Sequence, residues 1–150
     1  MAFWKKLFRE DSDERVDYYR EGLELLQVGK FHEALTSFRL ALREAPADEA
    51  VLQQIAITYT RIGMTEDAAK AYRTVLSHNA DASGAHYGLA FLMLHSGQRG
   101  EAIEHLRAFL VAPPAGPEAQ RHIDHARQTL RELTTPDDAA AAPAEPAGEG

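Results

Sequence analysis

The sequence predicts an all-α solenoid, a fold in which helical hairpins stack side by side along the chain. The first observation is a period of 34 residues, at which Gly29, Gly63 and Gly97 follow one another. The second is that apolar residues on both sides of each glycine recur at intervals of three and four, as they do on one face of an α-helix. A period of this length with two helical patterns per unit indicates a stacked helical array.

Three repeats are predicted, at residues 15–48, 49–82 and 83–116, and each begins with an amphipathic helix. In the first repeat, Tyr18 is followed four positions later by Gly22. A large or planar residue followed by a small one on the same face lets two helices approach closely. The corresponding pairs in the later repeats are Leu52 with Ala56 and His86 with Ala90.

The second helix of each repeat carries an apolar stripe. In the first repeat this stripe is formed by Ala34, Phe38 and Ala41, whose spacing is that of a half-buried helix. Pro46 follows, and proline cannot continue a helix. Because Ala80 takes the place of this proline in the second repeat, we expect a looser junction there. The corresponding stripes are Ala68, Tyr72, Val75 and Ala102, Leu106, Phe109.

The first repeat contains, in order, an aromatic residue, glycine, a large apolar residue, alanine, an aromatic residue, alanine and proline. This order resembles the tetratricopeptide repeat family, and the resemblance covers residues 15–116. The chain departs from the family pattern at Glu21, where leucine is usual, and at His86, which stands at the leading aromatic position. The resemblance implies a helical-hairpin solenoid that binds proteins or peptides. The residues that carry it are Tyr18, Gly22, Leu25, Ala34, Phe38, Ala41 and Pro46.

Matching to the family pattern further implies a concave groove, lined by the first helices of the repeats. The implied lining is rich in apolar and aromatic residues, which is typical of an interaction surface. An amphipathic helix or an apolar peptide would suit it. As alternatives, some of these side chains belong to the core or are covered by residues 1–10 of the same chain. The lining is Tyr19, Leu23, Leu26, Gln27, Gln53, Ile57, Thr60, Arg61, Tyr87, Phe91, Leu94 and His95.

The family also has members that clamp a carboxylate at a peptide's C-terminus, with lysine and asparagine on the first helix. Tyr19 and Leu23 stand at the matching positions in this chain. Since neither side chain carries a charge or an amide, we do not expect that mode of binding.

Residues 117–133 are predicted to form a capping helix. Ala119, Ile123 and Ala126 lie on one face, which Leu130 and Leu133 extend, while the opposite face is charged. Such a helix covers the apolar side that the last repeat would otherwise expose. Residues 134–150 contain alanine, proline, glycine and acidic residues with no large apolar side chain, so we expect a disordered tail.

Residues 1–10, the N-terminal segment, are predicted to form a short cationic amphipathic helix. An external role would be to anchor the protein on an anionic membrane surface or a partner. An internal role would be to pack on the protein itself. A capping box at Asp11 and Glu14 would separate the segment from the repeats. The candidate anchor residues are Phe3, Trp4, Lys5, Lys6, Leu7, Phe8 and Arg9.

Charge and hydropathy exclude several classes of function. The formal charge is -7, and no basic stripe is present, which argues against nucleic acid as a partner. No apolar run approaches the roughly 20 residues that a membrane span requires, and no signal peptide is recognisable. We therefore expect a cytoplasmic protein, with peripheral attachment to the inner face of a membrane as the alternative.

The sequence contains no motif that indicates an enzyme, a metal centre or a cofactor site. His122, Asp124 and His125 cluster on the predicted cap helix, where solvated surface residues are expected rather than metal ligands. The remaining histidines of the repeats suggest no shared centre. The sequence thus predicts a non-enzymatic adaptor that binds a protein or peptide. The alternative is a peripheral membrane-associated scaffold anchored by the N-terminal segment.

Overall fold

A computed structural model describes residues 16–135, and within this range the chain forms seven helices and no strand. Consecutive helices pair as three hairpins, α1 with α2, α3 with α4 and α5 with α6, and α7 packs on α6. The predicted all-α solenoid is therefore confirmed. The helices are α1 Tyr18–Gln27, α2 Phe31–Glu44, α3 Glu49–Ile62, α4 Thr65–His78, α5 Ser83–His95, α6 Arg99–Val111 and α7 Ala119–Leu133.

Aspartate caps begin the first helices of the first two hairpins. The backbone N–H of Arg20 donates to the carboxylate of Asp17 over 3.0 Å, and that of Val51 donates to Asp48 over 3.2 Å. These bonds satisfy N–H groups that have no partner within a helix, and the negative charge favours the helix dipole. The capping box predicted at residues 11–14 lies outside the described residues.

The recurring glycines form the turn inside each hairpin. Gly29, Gly63 and Gly97 have φ angles of 82°, 90° and 76°. This left-handed region is the usual end of a helix and strongly favours glycine, since any side chain is strained there. The 34-residue spacing of glycine is thus a direct consequence of repeating the same turn.

The predicted inward stripes form the core. Ala34, Ala68 and Ala102 are completely buried, and so are the rings and branched chains that follow them, such as Phe38 and Leu106. Gly22 is buried against Phe38, whose ring a Cβ atom at position 22 would approach to less than 3.0 Å. Glycine at position 22 therefore allows α1 and α2 to pack closely.

The cap helix buries the face that the sequence indicates, although it begins at Ala119 rather than at residue 117. Ala119 and Ala126 are buried, and Ile123 and Leu130 are half-buried against the last hairpin. Burial of this stripe covers the apolar end of the array, as a terminal helix must.

The link between the second and third hairpins, where Ala80 takes the place of proline, contains a side-chain turn at Asn79. Asn79, which ends α4, donates from its side-chain amide to Glu49 over 2.9 Å. Its side-chain oxygen accepts the backbone N–H of Asp81 over 3.1 Å, and Ala82 is buried. An asparagine turn thus takes the place of the proline, and the looser junction stays a prediction.

The N-terminal segment and the predicted tail, apart from Thr134 and Thr135, lie outside the described residues. No helix between residues 16 and 135 combines the length and apolar character needed to cross a membrane.

Candidate functional site

An open cavity of about 890 Å³ lies between α3 and α5, and α4, α6, α7 and the loop residue Pro114 also contribute to its walls. We call it the aromatic cavity. Its volume is in the upper part of the range of protein ligand sites. Its lining is Glu49, Gln53, Ile57, Thr60, Gly63, Thr65, Tyr72, Ser83, Gly84, Tyr87, Gly88, Phe91, Leu92, His95, Phe109, Pro114 and His122.

One wall of the cavity is a single face of α3. Gln53, Ile57 and Thr60 lie three or four positions apart, so they project from the same side of the helix. Residues on the opposite side, such as Ile55 and Ala56, are buried in the core. Ile57 is only half-buried, so it remains available to a ligand.

The other wall comes from α5, which contains no Asp, Glu, Lys or Arg. A helix that is apolar on all sides is normally buried all round. Here Leu89 and Met93 are buried in the core, whereas Tyr87 and Phe91 are half-buried beside the cavity. The rings of Tyr87 and Phe91 lie 4.8 Å apart at 54° and form the aromatic centre of this wall.

Two glycines of α5 open the floor of the cavity. A Cβ atom at Gly88 would lie less than 3.0 Å from the ring of Tyr72, and one at Gly84 would meet the side chain of Gln53. The ring of Tyr72 therefore reaches the cavity floor only because position 88 has no side chain. Burial raises the pKa of the Tyr72 phenol, with a hydrogen bond to Thr60 acting in the opposite direction. The phenol stays protonated at neutral pH.

The cap helix contributes two histidines to the aromatic wall. The Tyr87 hydroxyl lies 2.7 Å from Nδ1 of His125, and the His125 ring stacks on Phe91 at 4.8 Å and 6°. His122 meets the edge of Tyr87 at 5.0 Å. Both histidines are exposed, as expected, but they are also fixed in place by the rings of α5. The spacing of the cap-helix stripe gave no signal for this contact.

Glu49 provides the cavity's charge. Among the described residues that line the cavity, it is the one with an Asp, Glu, Lys or Arg side chain. Its carboxylate accepts an amide hydrogen bond from Gln53 over 3.1 Å and one from Asn79 over 2.9 Å. Both partners are neutral, and no lysine or arginine within residues 16–135 pairs with it. The cavity is thus apolar with a single negative charge at one end.

Comparison with known proteins identifies the family. The family described as protein kinase G tetratricopeptide repeat matches residues 5–135. The chain belongs to this family. The resemblance read from Tyr18 to Pro46 is therefore confirmed, and the three hairpins are tetratricopeptide repeats.

The chain is similar in sequence to an assembly protein. A photosystem I assembly protein, Ycf3 of Synechococcus elongatus, is 30% identical over 120 residues, which are 78% of this chain and 64% of that protein. The chain thus spans less than two thirds of the length of this relative.

Solved structures share the fold at low identity. The Yersinia enterocolitica type III secretion chaperone SycD, in complex with a peptide of the translocator YopD, is 16% identical with a TM-score of 0.73, over 77% of this chain and 88% of that one. The first repeat domain of Spaghetti (RPAP3), bound to the HSP90 peptide SRMEEVD, is 18% identical with a TM-score of 0.64. The match covers 75% of this chain and 90% of that one.

The twelve predicted groove residues fall into three sets in the structure. The aromatic cavity brings together six from the second and third repeats: Gln53, Ile57, Thr60, Tyr87, Phe91 and His95. Four others are half-buried against the main core, namely Tyr19, Leu23, Leu26 and Leu94. Gln27 and Arg61 are exposed, and the Arg61 guanidinium lies 5.3 Å from the centre of the Phe31 ring.

None of the described lining residues belongs to the first repeat, whose first helix packs against α2. The ring of Tyr19 lies 6.1 Å from that of Phe38, for example. Sequence reasoning missed Glu49, Tyr72 and His122, which come from a helix start, a second helix and the cap.

Two histidines of the third repeat form a pair that the sequence analysis did not predict. Nδ1 of His86 and Nδ1 of His105 are 3.1 Å apart, and Nε2 of His86 lies 2.7 Å from the carbonyl oxygen of Ala80. That carbonyl requires a proton on Nε2 of His86, so Nδ1 of a neutral His86 accepts from His105. A signal existed, because both residues stand at inward positions that Leu52 and Ala71 occupy in the second repeat.

No group of three or more His, Asp or Glu side chains with the spacing to coordinate a metal occurs in the described part of the chain. The histidine pair has an acidic neighbour, Glu101, whose carboxylate oxygen lies 3.7 Å from Nε2 of His105. That oxygen approaches the ring nitrogen on the far side from His86. The three groups therefore do not converge on one point.

Proposed function

We propose that this protein is a non-enzymatic adaptor that binds an amphipathic helix or an apolar peptide in the aromatic cavity. The observation that carries the proposal is the half-burial of Ile57, Tyr87 and Phe91 around about 890 Å³ of open volume. Exposed aromatic and aliphatic side chains grouped at one place usually mark an interaction site. A ligand that buried them would gain the energy of removing their surfaces from water.

Related proteins support a peptide or protein as the ligand. SycD holds a peptide of a translocator and RPAP3 holds an HSP90 peptide, while Ycf3 is an assembly protein. We extend to this chain only the general mode, in which a partner segment binds to stacked repeats. The partner's identity is set by the cavity's own chemistry.

That chemistry favours an apolar segment over an acidic one. The HSP90 peptide SRMEEVD carries two glutamates and a terminal aspartate. The aromatic cavity has no lysine or arginine among its described lining residues, and its one charge, Glu49, is negative. Tyr19 and Leu23 are half-buried against the core, where they offer no clamp for a carboxylate. An acidic peptide would therefore lose hydration without gaining a cationic partner.

The test is a double substitution, Ile57→Asp with Phe91→Asp, in the full chain used as bait on an extract of its own cells. Two carboxylates in the apolar wall should lower partner capture by at least about tenfold, since a buried hot-spot residue contributes about 2 kcal/mol or more. Capture is measured by quantitative pull-down, and circular dichroism checks that helicity is kept.

A matched control places the same charges outside the cavity. Val28 and Val111 are 71% and 85% exposed and do not line it. The variant Val28→Asp with Val111→Asp should capture the partner as the wild type does. Equal capture by the wild type and the Ile57→Asp, Phe91→Asp variant would remove the cavity as the binding site.

The second candidate function is a peripheral scaffold on the inner face of a membrane, in a cytoplasmic protein. The observation that favours it is the composition of the N-terminal segment, in which Lys5, Lys6 and Arg9 alternate with large apolar residues. Flotation with anionic liposomes compares the wild type with Trp4→Glu, which removes the largest apolar group. We expect the substitution to reduce flotation if the membrane is the target, and equal flotation would eliminate this function.

A further inference from the structure

We propose that the N-terminal segment occupies the aromatic cavity of its own chain and competes there with the partner. This inference rests on the proposed function, because it assigns an internal regulator to the same site. The segment would exclude weakly binding ligands from the cavity, and a partner that binds more tightly would displace it.

The composition of the segment complements that of the cavity. Phe3, Trp4, Leu7 and Phe8 supply four large apolar side chains within eight residues of the start. The cavity offers an apolar and aromatic lining around a volume that accommodates several such side chains. Burial of large apolar groups is worth about 1.5 to 3 kcal/mol each, less the cost of ordering the segment.

The charges are complementary too. The segment carries Lys5, Lys6 and Arg9 against Glu10, a net charge of +2. The cavity carries Glu49, whose carboxylate is bonded to neutral amides only. A carboxylate that has no lysine or arginine partner among residues 16–135 and lies beside apolar walls attracts a cation more strongly than one in open water, because the local dielectric is lower.

The segment begins at the right end of the molecule to reach Glu49. A turn, a second helix and a short loop separate α1 from α3, and the same sequence of elements separates α3 from α5. These three helices therefore run in the same direction and begin at the same end. Asp17 and Asp48, which cap α1 and α3, line one small cleft of about 230 Å³. Glu49 follows Asp48 directly, so the start of the described chain lies close to the cavity's charged end.

The length of the connection is sufficient. The chain from residue 10 to Val16 spans about 20 Å when extended, at about 3.3 to 3.6 Å per residue. Packed helices lie about 8 to 10 Å apart, so the cleft between α3 and α5 is within about 20 Å of α1. The segment therefore reaches the cavity without any change in the repeats.

Trp4 provides a direct test, because it is the single tryptophan of the chain. Its fluorescence in the full chain is compared with that of a synthetic peptide of residues 1–10, without membranes or other proteins. A docked Trp4 should emit at shorter wavelength than the peptide and be quenched by acrylamide several-fold less. Emission and quenching equal to those of the free peptide would overturn the proposal.

Two substitutions locate the contact. Ile57→Asp with Phe91→Asp should return Trp4 emission to the value of the peptide, and Glu49→Gln should shift it part of the way. Glu49→Gln keeps the size of the side chain and leaves the core unchanged, so it tests the charge even if the double variant folds poorly. The controls are Val28→Asp with Val111→Asp, and Glu33→Gln, an exposed carboxylate on α2 outside the cavity. A shielded Trp4 that none of the cavity substitutions exposes would overturn the proposal.

Concentration separates binding within one chain from binding between two copies. The emission of a segment docked in its own chain does not depend on protein concentration. A blue shift that grows with concentration would place the segment in a second copy and overturn the proposal as stated.

This experiment and the capture experiment fail separately. If Trp4 is exposed while Ile57→Asp with Phe91→Asp still abolishes capture, the inference is wrong and the proposed function stands. If Trp4 is shielded by the cavity while capture is insensitive to that variant, the proposed function is wrong. Where both hold, deleting residues 1–10 should raise apparent partner affinity, by about tenfold if the segment covers the cavity nine-tenths of the time.

Discussion

Gly22 and Gly88 each stand where another helix presents a large ring. Gly22 faces Phe38 of its own hairpin, and Gly88 faces Tyr72 of the preceding one. In both places a Cβ atom would come within 3.0 Å of the ring. Glycine here serves close packing rather than a special backbone angle, and it distinguishes these positions from the turn glycines.

The first prediction at this scale is that Gly22→Ala destabilises the protein. Alanine is normally better than glycine inside a helix by about 1 kcal/mol. The clash with the buried Phe38 ring should outweigh that gain and lower the free energy of unfolding by about 1 to 3 kcal/mol. Urea denaturation followed by circular dichroism measures the change.

Gly100→Ala is the matched control, since Gly100 is also helical and a Cβ atom there would meet nothing within 4 Å. We expect this substitution to leave stability unchanged or raise it by up to about 1 kcal/mol. If Gly22→Ala were as stable as Gly100→Ala, close packing against Phe38 would not be the reason for glycine at position 22.

At the scale of elements, the third hairpin holds the histidine pair His86 and His105 between α5 and α6. Burial lowers the pKa of the His105 imidazole, the neighbouring His86 lowers it further, and Glu101 acts in the opposite direction. Arg73 of α4 faces the same group and lies 2.9 Å from Glu101, whose own pKa it lowers. A protonated His105 would thus be partly buried with the guanidinium of Arg73 nearby.

The second prediction follows from the sign of that shift. Because its folded-state pKa lies below the ordinary 6.5, His105 in the folded protein becomes protonated at a lower pH than the same residue in the unfolded chain. Stability should therefore be fully present above pH 6.5 and be lost as the pH falls through 6.5 towards the lowered pKa of His105. His105→Gln should reduce this loss, as measured by urea denaturation at about pH 7.5 and about pH 5.5.

His32→Gln is the control, because His32 is exposed on α2. It should leave the difference in stability between the two pH values as it is in the wild type. An identical difference in the wild type and in His105→Gln would show that the histidine pair does not carry the pH dependence.

The elements also show what the sequence predicts well. A stripe such as Ala34, Phe38 and Ala41 has one dominant partner, the helix before it, so its spacing alone reveals which side is buried. The turn glycines are equally easy to predict from the sequence, because the positive φ at Gly63 is a conformation that few other residues adopt.

The residues of the candidate site are harder to predict from the sequence, because the cavity is formed by several helices together. Tyr19 and Tyr87 occupy equivalent positions in the first and third repeats, yet Tyr19 packs towards Phe38 while Tyr87 lines the cavity. The difference lies in the neighbours, since Tyr87 has Gly88 beside it and the cap histidines above it. No periodicity within α5 contains that information, and α7 has no equivalent in the earlier repeats.

On the scale of the whole molecule, the described chain is a stack in which each helix packs against the next. First helices of adjacent repeats also touch, α1 with α3 and α3 with α5. Stability in such arrays is close to a sum of repeat and interface terms. The aromatic cavity lies across one of these interfaces, so a ligand in it would couple the second repeat, the third repeat and the cap.

The contact between His125 and the rings of Tyr87 and Phe91 has a consequence for the length of the array. Repeat proteins are commonly extended by inserting further hairpins before the terminal helix. Here an insertion between α6 and α7 would carry His125 away from Phe91 and replace it with the first helix of the new hairpin. A version extended at that point would therefore have more repeats but a different cavity wall, so this cavity requires the cap helix to follow the third hairpin directly.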